Sequence, residues 1–341
     1  MEQPFSSTAD AVVFAGSGEK LSLLLIQRKN PPFQNMWALP GGFLQPDEKP
    51  LDGSIRELQE ETGLKLTSSA LCSLSIRERS GRDPRGRVRT HPFAFYHERA
   101  TTLKANDDAK SAAWIPLTQI KQLAFDHGAI LCEALGKLFP LFNQSSPAQI
   151  YIRLPHLLDA GLSLEDNQPA IIFPGTFVPW HEGHSECIRQ SPADLPLIVI
   201  PDSNPWKRED STQMKYSCYW QEYLKINQQL KRDRAIVYPG FFGMEQGNPT
   251  INWINSLKFN YKSFLMGDDT IFSIEQWKEA DTLLCLINKI LVVPRNHSID
   301  AINSYISKLT KKYPQLTVEV LREHPFQNIS SSQIRSSLQS N

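Results

Sequence analysis

The sequence predicts a protein of two α/β domains, and three observations support this prediction. The chain has 341 residues, which exceeds the roughly 100–200 residues of an ordinary domain. Its first half mixes strand-like runs with few helices, whereas its second half alternates short apolar runs with helix-like segments. Such alternation is typical of a parallel sheet that is covered on both faces. We expect domains at residues 1–142 and 169–341, joined by a linker and connecting helix at 143–168.

The first half carries the signals of short strands with few helices. Two strand-like runs, at 11–14 and 22–27, flank the turn sequence GSGEK and predict a hairpin. Further strands are predicted at 71–76 and 90–96. Apolar residues at helical spacing predict an amphipathic helix at 125–139.

The second half carries the signals of a parallel sheet. Helix-like segments, such as residues 217–232, lie between its apolar runs. Ligands of such sheets bind at the carboxyl ends of the strands. Strands are predicted at 170–173, 195–200, 235–238, 264–267, 290–293 and 316–321.

Composition and charge narrow the classes of function. Lys plus Arg and Asp plus Glu are equal at 36 each, which disfavours a duplex nucleic-acid binder. The 5 cysteines form no CxxC, so we expect neither disulfides nor a zinc site. No apolar run approaches the ~20 residues that span a bilayer, and the N-terminus lacks the pattern of a signal peptide. We therefore expect a cytoplasmic protein without nucleic-acid or membrane partners; the sequence leaves a homo-oligomer open.

Three glutamates follow a glycine-rich turn in the first half. Glu57, Glu60 and Glu61 are spaced i, i+3 and i+4, so a helix would place them on one face. Crowded carboxylates repel one another unless a cation lies among them, and Mg²⁺ or Mn²⁺ prefers such oxygen ligands. A solvated acidic face is the alternative for any acidic helix.

The spacing around these glutamates resembles the Nudix signature at each defining position, from Gly42 through Glu48 to the run RELQEETGL at 56–64. The resemblance implies an α/β/α sandwich that cleaves a diphosphate joined to another moiety. It implies that the three glutamates bind the metal, with Glu60 or Glu61 as the base, and that Gly42 lies in the substrate loop. Arg56 and Glu48 would orient the helix.

Two further stretches, 82–96 and 123–135, bear on the substrate of this half. They resemble ADP-ribose pyrophosphatases and the Nudix-like regulators of NAD genes. The first resemblance implies hydrolysis of ADP-ribose to AMP and ribose 5-phosphate. The second implies a sensor that binds ADP-ribose without cleaving it, which the complete glutamate set disfavours. The arginines of the first stretch either contact phosphates or form a solvated basic loop: Arg82, Arg85, Arg87 and Arg89.

Two histidines lie just beyond a predicted strand of the second half. The run AIIFPGTFVPWHEGH indicates a buried strand, a glycine turn and a helix start, which would place His181 and His184 at the positive end of a helix. Gly183 would permit a tight entry to that helix. The pattern GTFxPxHxGH resembles the nucleotidyltransferases, a family with a Rossmann-like parallel sheet. The resemblance implies that these histidines are catalytic and that further nucleotide contacts come from Gly175, Thr176 and Phe177.

The C-terminal run NISSSQIRSSL resembles the ISSTxIR motif of the same family. Its hydroxyl groups and Arg335 suit phosphate binding, and a plain helix cap is the alternative. Residues 264–284 resemble the GxD…W segment of nicotinate or nicotinamide mononucleotide adenylyltransferases. The resemblance implies substrate contacts from Gly267 and Asp268, and from Trp277 unless it belongs to the core. Other candidate substrate contacts are Lys207, Ser330, Ser331 and Ser332.

Together these resemblances cover nearly the whole chain and imply one bifunctional enzyme. One half would hydrolyse ADP-ribose with Mg²⁺ or Mn²⁺. The other would join ATP to nicotinamide or nicotinate mononucleotide and release pyrophosphate; a pantetheine-phosphate adenylyltransferase and a cytidylyltransferase are alternatives. The sequence NQSSPAQ at 143–149 has almost no apolar residue, so we expect a cut there to expose little core and each half to act alone.

Overall fold

The computed structural model describes residues 4–16, 20–66, 70–97, 99–104, 109–138, 167–201, 219–233, 235–244, 246–327, 329–331, 333–334 and 337. No helix within these ranges is long and apolar enough to cross a membrane. Residues 143–166 of the predicted linker and connecting helix lie outside the described residues.

The first sheet mixes parallel and antiparallel strands. Its strands are β1 (Ser6–Ala15), β2 (Ser22–Arg28), β3 (Trp37–Ala38), β4 (Gly41–Phe43), β5 (Cys72–Ser73), β6 (Val88–His97) and β7 (Ala109–Pro116). Their order is β3-β2-β1-β6-β5, with β4 paired to β1 and β7 to β2. The central pair β1 and β6 runs parallel, while β1 and β2 form the predicted antiparallel hairpin. The strand predicted at 71–76 is shorter than expected, because the regular pairing with β6 covers Cys72–Ser73 and is followed only by an isolated bridge between Arg77 and Thr90.

Helix α1 (Pro50–Thr62) carries the three glutamates and is fixed at both ends. Pro50 lies in the first turn, where its missing N–H costs no hydrogen bond. Gly63 ends the helix in the left-handed conformation, with φ of 71°, and donates its N–H to the carbonyl of Gln59. Leu58 is fully buried in the apolar cluster between the helix and the sheet. These anchors hold the acidic side of α1 against β4.

The second sheet is parallel throughout, which confirms the prediction. Its strands are β8 (Pro169–Gly175), β9 (Leu197–Pro201), β10 (Ile236–Val237), β11 (Tyr261–Gly267), β12 (Lys289–Val293) and β13 (Thr317–Val320). Their order is β10-β9-β8-β11-β12-β13. The strand order reverses between β8 and β11, and sheets of this kind bind ligands at such a point.

The remaining helices are α2 (His127–Leu138), α3 (Glu182–Gln190), α4 (Tyr219–Asp233), α5 (Asp268–Ile271), α6 (Ala280–Leu286) and α7 (Ile299–Lys312). Helix α4 corresponds to the segment predicted at 217–232. Helix α3 follows directly on the turn after β8, where the two histidines were expected to begin a helix.

Helix α2 is buried on every side along residues 127–136, in contrast to the predicted amphipathic helix. It contributes Ile130 and Leu131 to an apolar cluster that also contains Leu23 and Leu25 of the first sheet. The same cluster continues into the second sheet, and α2 packs against α4. Because protein covers the helix on both sides, none of its faces is exposed to water along these residues, and its polar side chains at His127 and Glu133 are buried as well.

Polar contacts also join the two halves beside this helix. Trp220 of α4 is buried and donates its Nε1–H to the carbonyl of Ile120 at 2.8 Å. Arg77 donates to the carbonyl of Gly243 at 2.7 Å and to the carboxylate of Glu133 at 2.6 Å. Since Arg77 and Glu133 are both buried, removal of either partner would leave an uncompensated charge.

The expectation that a cut at 143–149 exposes little core does not hold in this structure. Buried side chains of the two sheets form one contiguous cluster, so separation would expose α2 and Trp220 to water. Exposure of apolar surface costs about 25 cal/mol per Å². We therefore expect the separated halves to be less stable than the intact chain.

The two halves approach each other tightly at a pair of glycines. A Cβ atom at Gly136 would lie 2.1 Å from the Cα atom of Gly240. Helix propensity alone would make Gly136→Ala stabilising by about 1 kcal/mol. We expect the opposite sign, because the overlap is with backbone: the free energy of unfolding should fall by about 1–3 kcal/mol in urea denaturation. Ser304→Ala, at an exposed position of α7, is the control, and its free energy of unfolding should not fall. Equal free energies of unfolding for Gly136→Ala and wild type would contradict the tight contact.

Candidate active sites

Arg56 organises the carboxylates of the first site. It donates to Glu48 at 2.8 Å, to Glu57 at 2.8 Å and to Glu60 at 3.0 Å. It also donates to the carbonyl of Phe43 at 3.1 Å, which ties α1 to β4. The hydrogen bonds from Arg56 lower the pKa of Glu48 to about 2. This is the orienting arrangement that the Nudix resemblance implies.

Glu61 lies deeper than the other two glutamates and is only 5% exposed. Its carboxylate accepts the N–H of Gly41 at 2.9 Å. Burial raises the pKa of Glu61 to about 8, although the Gly41 N–H opposes this shift. Burial likewise raises the pKa of Glu57, against the opposing effect of Arg56. Both carboxyl groups therefore lie where additional positive charge would stabilise the ionised form.

The glutamates are not assembled into a metal-binding cluster. Among the described residues, which include all three, no group of three His, Cys, Asp or Glu side chains could hold a metal ion as placed. Glu57 and Glu60 turn to Arg56, and Glu61 turns to β4. Their carboxylate oxygens are nevertheless the donors that Mg²⁺ and Mn²⁺ prefer. The residue set therefore fits a divalent cation.

Gly42 makes room for the carboxylate of Glu57. A Cβ atom at this position would lie 2.4 Å from the Cδ atom of Glu57, so glycine lets that carboxylate lie against the backbone of β4. Gly42 thus has a packing role in this structure, and its substrate contact stays a prediction.

Arg85 lies beside the glutamate helix. It forms a bidentate pair with Asp83, and its guanidinium lies over the rings of Phe43 at 4.9 Å and Phe125 at 5.3 Å. Phe43 belongs to β4, so this cation borders the first site. Neither aromatic residue was predicted to border the site. Phe43 directly follows Gly41 and Gly42 in the sequence, and this position beside the glycines was the signal that was missed. In the structure its side chain is 45% exposed.

The other arginines of the basic loop contact protein groups. Arg87 and Arg89 lie over the ring of Phe5, at 4.4 and 4.6 Å. Arg82 forms a buried bidentate pair with Asp126. Of the four candidate arginines, Arg85 lies over Phe43 of β4, which borders the first site, and Arg87 lies over Phe5.

His127, at the start of α2, connects the first site to the junction between the halves. It is buried, and its Nδ1 accepts the N–H of Leu39 at 2.9 Å. Leu39 lies between β3 and β4. Burial lowers the pKa of His127, so the neutral ring acts as the acceptor. A single histidine in an apolar helix carries no sequence signal for this role.

The second site lies where β8 ends and α3 begins. His181 occupies the N-cap position, and His184 lies in the first turn. Their rings stack with centroids 3.7 Å apart. The N–H of His181 donates to Nδ1 of His184 at 3.3 Å, so a neutral His184 carries its proton on Nε2.

His181 is nearly buried, and among the described residues neither of its ring nitrogens has a hydrogen-bond partner. Burial lowers its pKa to about 4, and the nearby positive charge of Arg295 acts in the same direction. Gly183 makes room for the ring, since a Cβ atom there would lie 3.0 Å from its Nδ1. Gly175 does the same for Phe177, whose ring would lie 2.8 Å from an added Cβ.

A cavity of about 340 Å³ opens beside the histidines. Its walls come from the turn after β8, the end of β11, the loop after β12 and the C-terminal segment. Ser331 donates its hydroxyl to the carbonyl of Pro179 at 3.0 Å, which joins the last of these walls to the first. The predicted site residues that line the cavity are Gly175, Thr176, Phe177, His181, His184, Gly267, Ser330 and Ser331.

Two predicted substrate contacts do not line this cavity. Asp268 is fully buried, and its carboxylate accepts backbone N–H groups; Asp269 lines the cavity instead. A strict G-x-D count from Gly267 leads to Asp269, the carboxylate that lines the cavity. Trp277 is half-buried and packs against the main apolar cluster. This placement agrees with the alternative that Trp277 belongs to the core. Arg295 also lines the cavity, and no motif pointed to it.

Three further predicted site residues lie outside the described part of the chain. They are Lys207, Ser332 and Arg335.

Residues 4–134 match the NUDIX domain family, and residues 172–337 match the cytidylyltransferase-like family. The chain combines a Nudix domain with a cytidylyltransferase-like domain. These matches confirm the predicted fold class and the predicted pairing of families. The Nudix domain contains α1 and the arginine loop, and the cytidylyltransferase-like domain contains the cavity.

Named relatives exist for both domains. The chain is 42% identical over 109 residues to an ADP-ribose pyrophosphatase of Methanocaldococcus jannaschii, an alignment that covers 32% of this chain and 63% of that protein. This chain thus spans less than two thirds of that relative's length. It is 26% identical over 172 residues to a probable nicotinate-nucleotide adenylyltransferase of Caldicellulosiruptor bescii, which covers 48% of this chain and 83% of that protein.

A solved structure is similar over part of the chain. It is a bifunctional NMN adenylyltransferase/ADP ribose pyrophosphatase from Francisella tularensis, complexed with AMP and a Mn ion. The match has 32% identity and a TM-score of 0.36, and it covers 40% of this chain and 42% of that chain.

The buried His181 predicts a dependence of stability on pH. Its pKa is about 4 in the folded protein and about 6.5 when unfolded, so between these values the unfolded chain binds more protons. The free energy of unfolding should therefore fall as the pH is lowered from about 6.5 towards 4. Urea denaturation across this range should show a smaller fall for His181→Asn than for wild type. Identical slopes would contradict the burial of a neutral ring.

Proposed function

We propose that the chain is a bifunctional enzyme of NAD metabolism. The Nudix domain hydrolyses ADP-ribose to AMP and ribose 5-phosphate with Mg²⁺ or Mn²⁺. The cytidylyltransferase-like domain joins ATP to nicotinamide or nicotinate mononucleotide and releases pyrophosphate. The observation that carries the proposal is that each domain gathers its motif residues in one place: carboxylates around Arg56, and histidines and serines around one cavity. The names of the relatives support the choice of substrates.

In the Nudix domain, the residues that would hold the cation are Glu57, Glu60 and Glu61. A bound divalent cation neutralises a diphosphate and lowers the pKa of a coordinated water. Arg56 and the N–H of Gly41 orient the carboxylates, and Glu60 or Glu61 accepts the proton of the attacking water. Arg85, fixed by its pair with Asp83, presents a cation to the phosphate groups.

In the cytidylyltransferase-like domain, the phosphate of the mononucleotide attacks the α-phosphorus of ATP in line, and pyrophosphate leaves. No covalent enzyme intermediate is needed, so positioning and electrostatics supply the rate. His184 donates from Nε2 to a phosphate oxygen, because its Nδ1 is occupied by the backbone. The N-terminus of α3 adds the positive end of a helix dipole.

Glu61→Gln should lower hydrolysis of ADP-ribose by at least about 100-fold, since even indirect changes at a metal site cost about 10–100-fold. The amide keeps the acceptor for the Gly41 N–H, so the fold should survive. Release of AMP, measured by chromatography at several Mg²⁺ concentrations, is the readout. Dinucleotide synthesis from ATP is the internal control and should be unchanged. Wild-type protein that binds ADP-ribose without releasing AMP would replace hydrolysis by the sensor alternative.

His184→Ala should lower dinucleotide synthesis by about 10²–10³, the usual cost of one lost transition-state donor. Synthesis is assayed with ATP and each mononucleotide separately, which also identifies the preferred acceptor. Hydrolysis of ADP-ribose by the same preparation controls for folding. A variant that makes product at the wild-type rate would remove His184 from the reaction, and a wild type that accepts neither mononucleotide would overturn the assigned acceptor class.

A further inference from the structure

Asp268 carries a fully buried carboxylate beside the nucleotide cavity. Its Oδ2 accepts the N–H groups of three consecutive residues: Arg295 at 3.0 Å, Asn296 at 2.7 Å and His297 at 2.8 Å. Its Oδ1 accepts the N–H of Asp269 at 2.7 Å. Although burial acts to raise the pKa of Asp268, these backbone donors hold it below its usual value. The carboxylate is thus charged and engaged by backbone.

The parallel register explains why these groups meet. Strands β11 and β12 pair with Gly267 beside Val293, so the segments that follow them leave the sheet at the same edge. Asp268 directly follows β11, and residues 295–297 lie shortly after the end of β12. The carboxylate therefore fixes the loop after β12 to the start of α5.

This fixed loop supplies positive charge to the cavity. Among the described residues that line the cavity, Arg295 is the one Lys or Arg. Its Nη2 donates to the carbonyl of Ile329 at 2.7 Å. Ile329 precedes Ser330 and Ser331, which also line the cavity. The position of Arg295 thus depends on Asp268 at its backbone and on the C-terminal segment at its side chain.

We propose that Asp268 is a positioning residue that holds Arg295 for binding the phosphates of a nucleoside triphosphate. The proposal rests on the proposed transferase function. Asp268 does not face the cavity, so it acts on the nucleotide through the loop and not by contact. Arginine suits this role because its guanidinium stays charged and presents several donors to phosphate.

Affinity for MgATP tests the proposal in the full-length chain. Calorimetric titration should show about tenfold weaker binding for Asp268→Asn, the loss expected when one charge-assisted phosphate contact is disturbed. KM for the mononucleotide should change little. Asp300→Asn makes the same substitution at an exposed position of α7 and should bind MgATP as wild type does. Wild-type affinity in Asp268→Asn would overturn the positioning role.

A double variant separates positioning from a general structural effect. If Asp268 acts through Arg295, Asp268→Asn combined with Arg295→Gln should bind MgATP no more weakly than Arg295→Gln alone. Losses that multiply would overturn the proposal. Should Asp268→Asn fail to fold, Asp268→Ser, which keeps a hydroxyl acceptor, replaces it in the same cycle.

A measurement on the wild type needs no variant. The amides of residues 295–297 should exchange slowly with deuterium, because they are bound to a buried carboxylate. Rapid exchange there would overturn the proposal even if MgATP binds. A wild type that does not bind MgATP would overturn the proposed transferase function together with the positioning role, whereas normal binding with an unaffected Asp268→Asn overturns the latter alone.

Discussion

Helix α2 is packed between the first sheet and helix α4 of the second half, and the junction of the two halves depends on this double burial. A helix that is covered from both sides needs a small residue where another backbone comes close, and Gly136 meets Gly240 at that point. Its few polar groups have buried partners: Glu133 binds Arg77, and His127 binds the N–H of Leu39. At one end, the helix therefore supports the segment that leads into β4 of the first site. Along its length, it forms part of the junction with the second domain.

The two sites present opposite electrostatic conditions to phosphate groups. The Nudix site concentrates carboxylates, and burial raises the pKa of Glu57 and Glu61. In the proposed reaction a divalent cation would offset the repulsion between the ionised carboxylates and the phosphate groups of the substrate. The cytidylyltransferase-like site offers neutral histidine, a helix N-terminus and Arg295, which attract phosphate without a carboxylate cluster. The two domains thus reach phosphate chemistry by different distributions of charge.

The positions of helices and strands were largely predictable, because they depend on signals that lie close together in the sequence. Pro50 and Gly63 delimit α1, and non-alternating apolar runs indicated the parallel strands. The histidine motif indicated the start of α3 for the same reason. Features that depend on segments far apart in the sequence were harder to predict. The burial of α2 requires knowledge of the surface of α4, and the arginine partners Phe43 and Phe125 come from separate elements.

The nucleotide cavity illustrates the same limit in detail. Asp268 and Asp269 are adjacent carboxylates, and a motif alone does not reveal that one faces the loop after β12 and the other faces the cavity. That distinction follows from the register of β11 and β12, which brings Arg295 beside them. Residues that act through a neighbouring loop are therefore visible only after strand pairing is known.

The glycine contact between α2 and the turn after β10 has a consequence for how such fusions can be recombined. A chimera that exchanged the N-terminal module for a homologous one would need a small residue at the position of Gly136, because any side chain there would collide with the backbone at Gly240. It would also need an acidic group to receive Arg77, whose charge would otherwise be stranded inside the protein. The two modules are in this sense a matched pair, and their inheritance as a unit is favoured by packing alone.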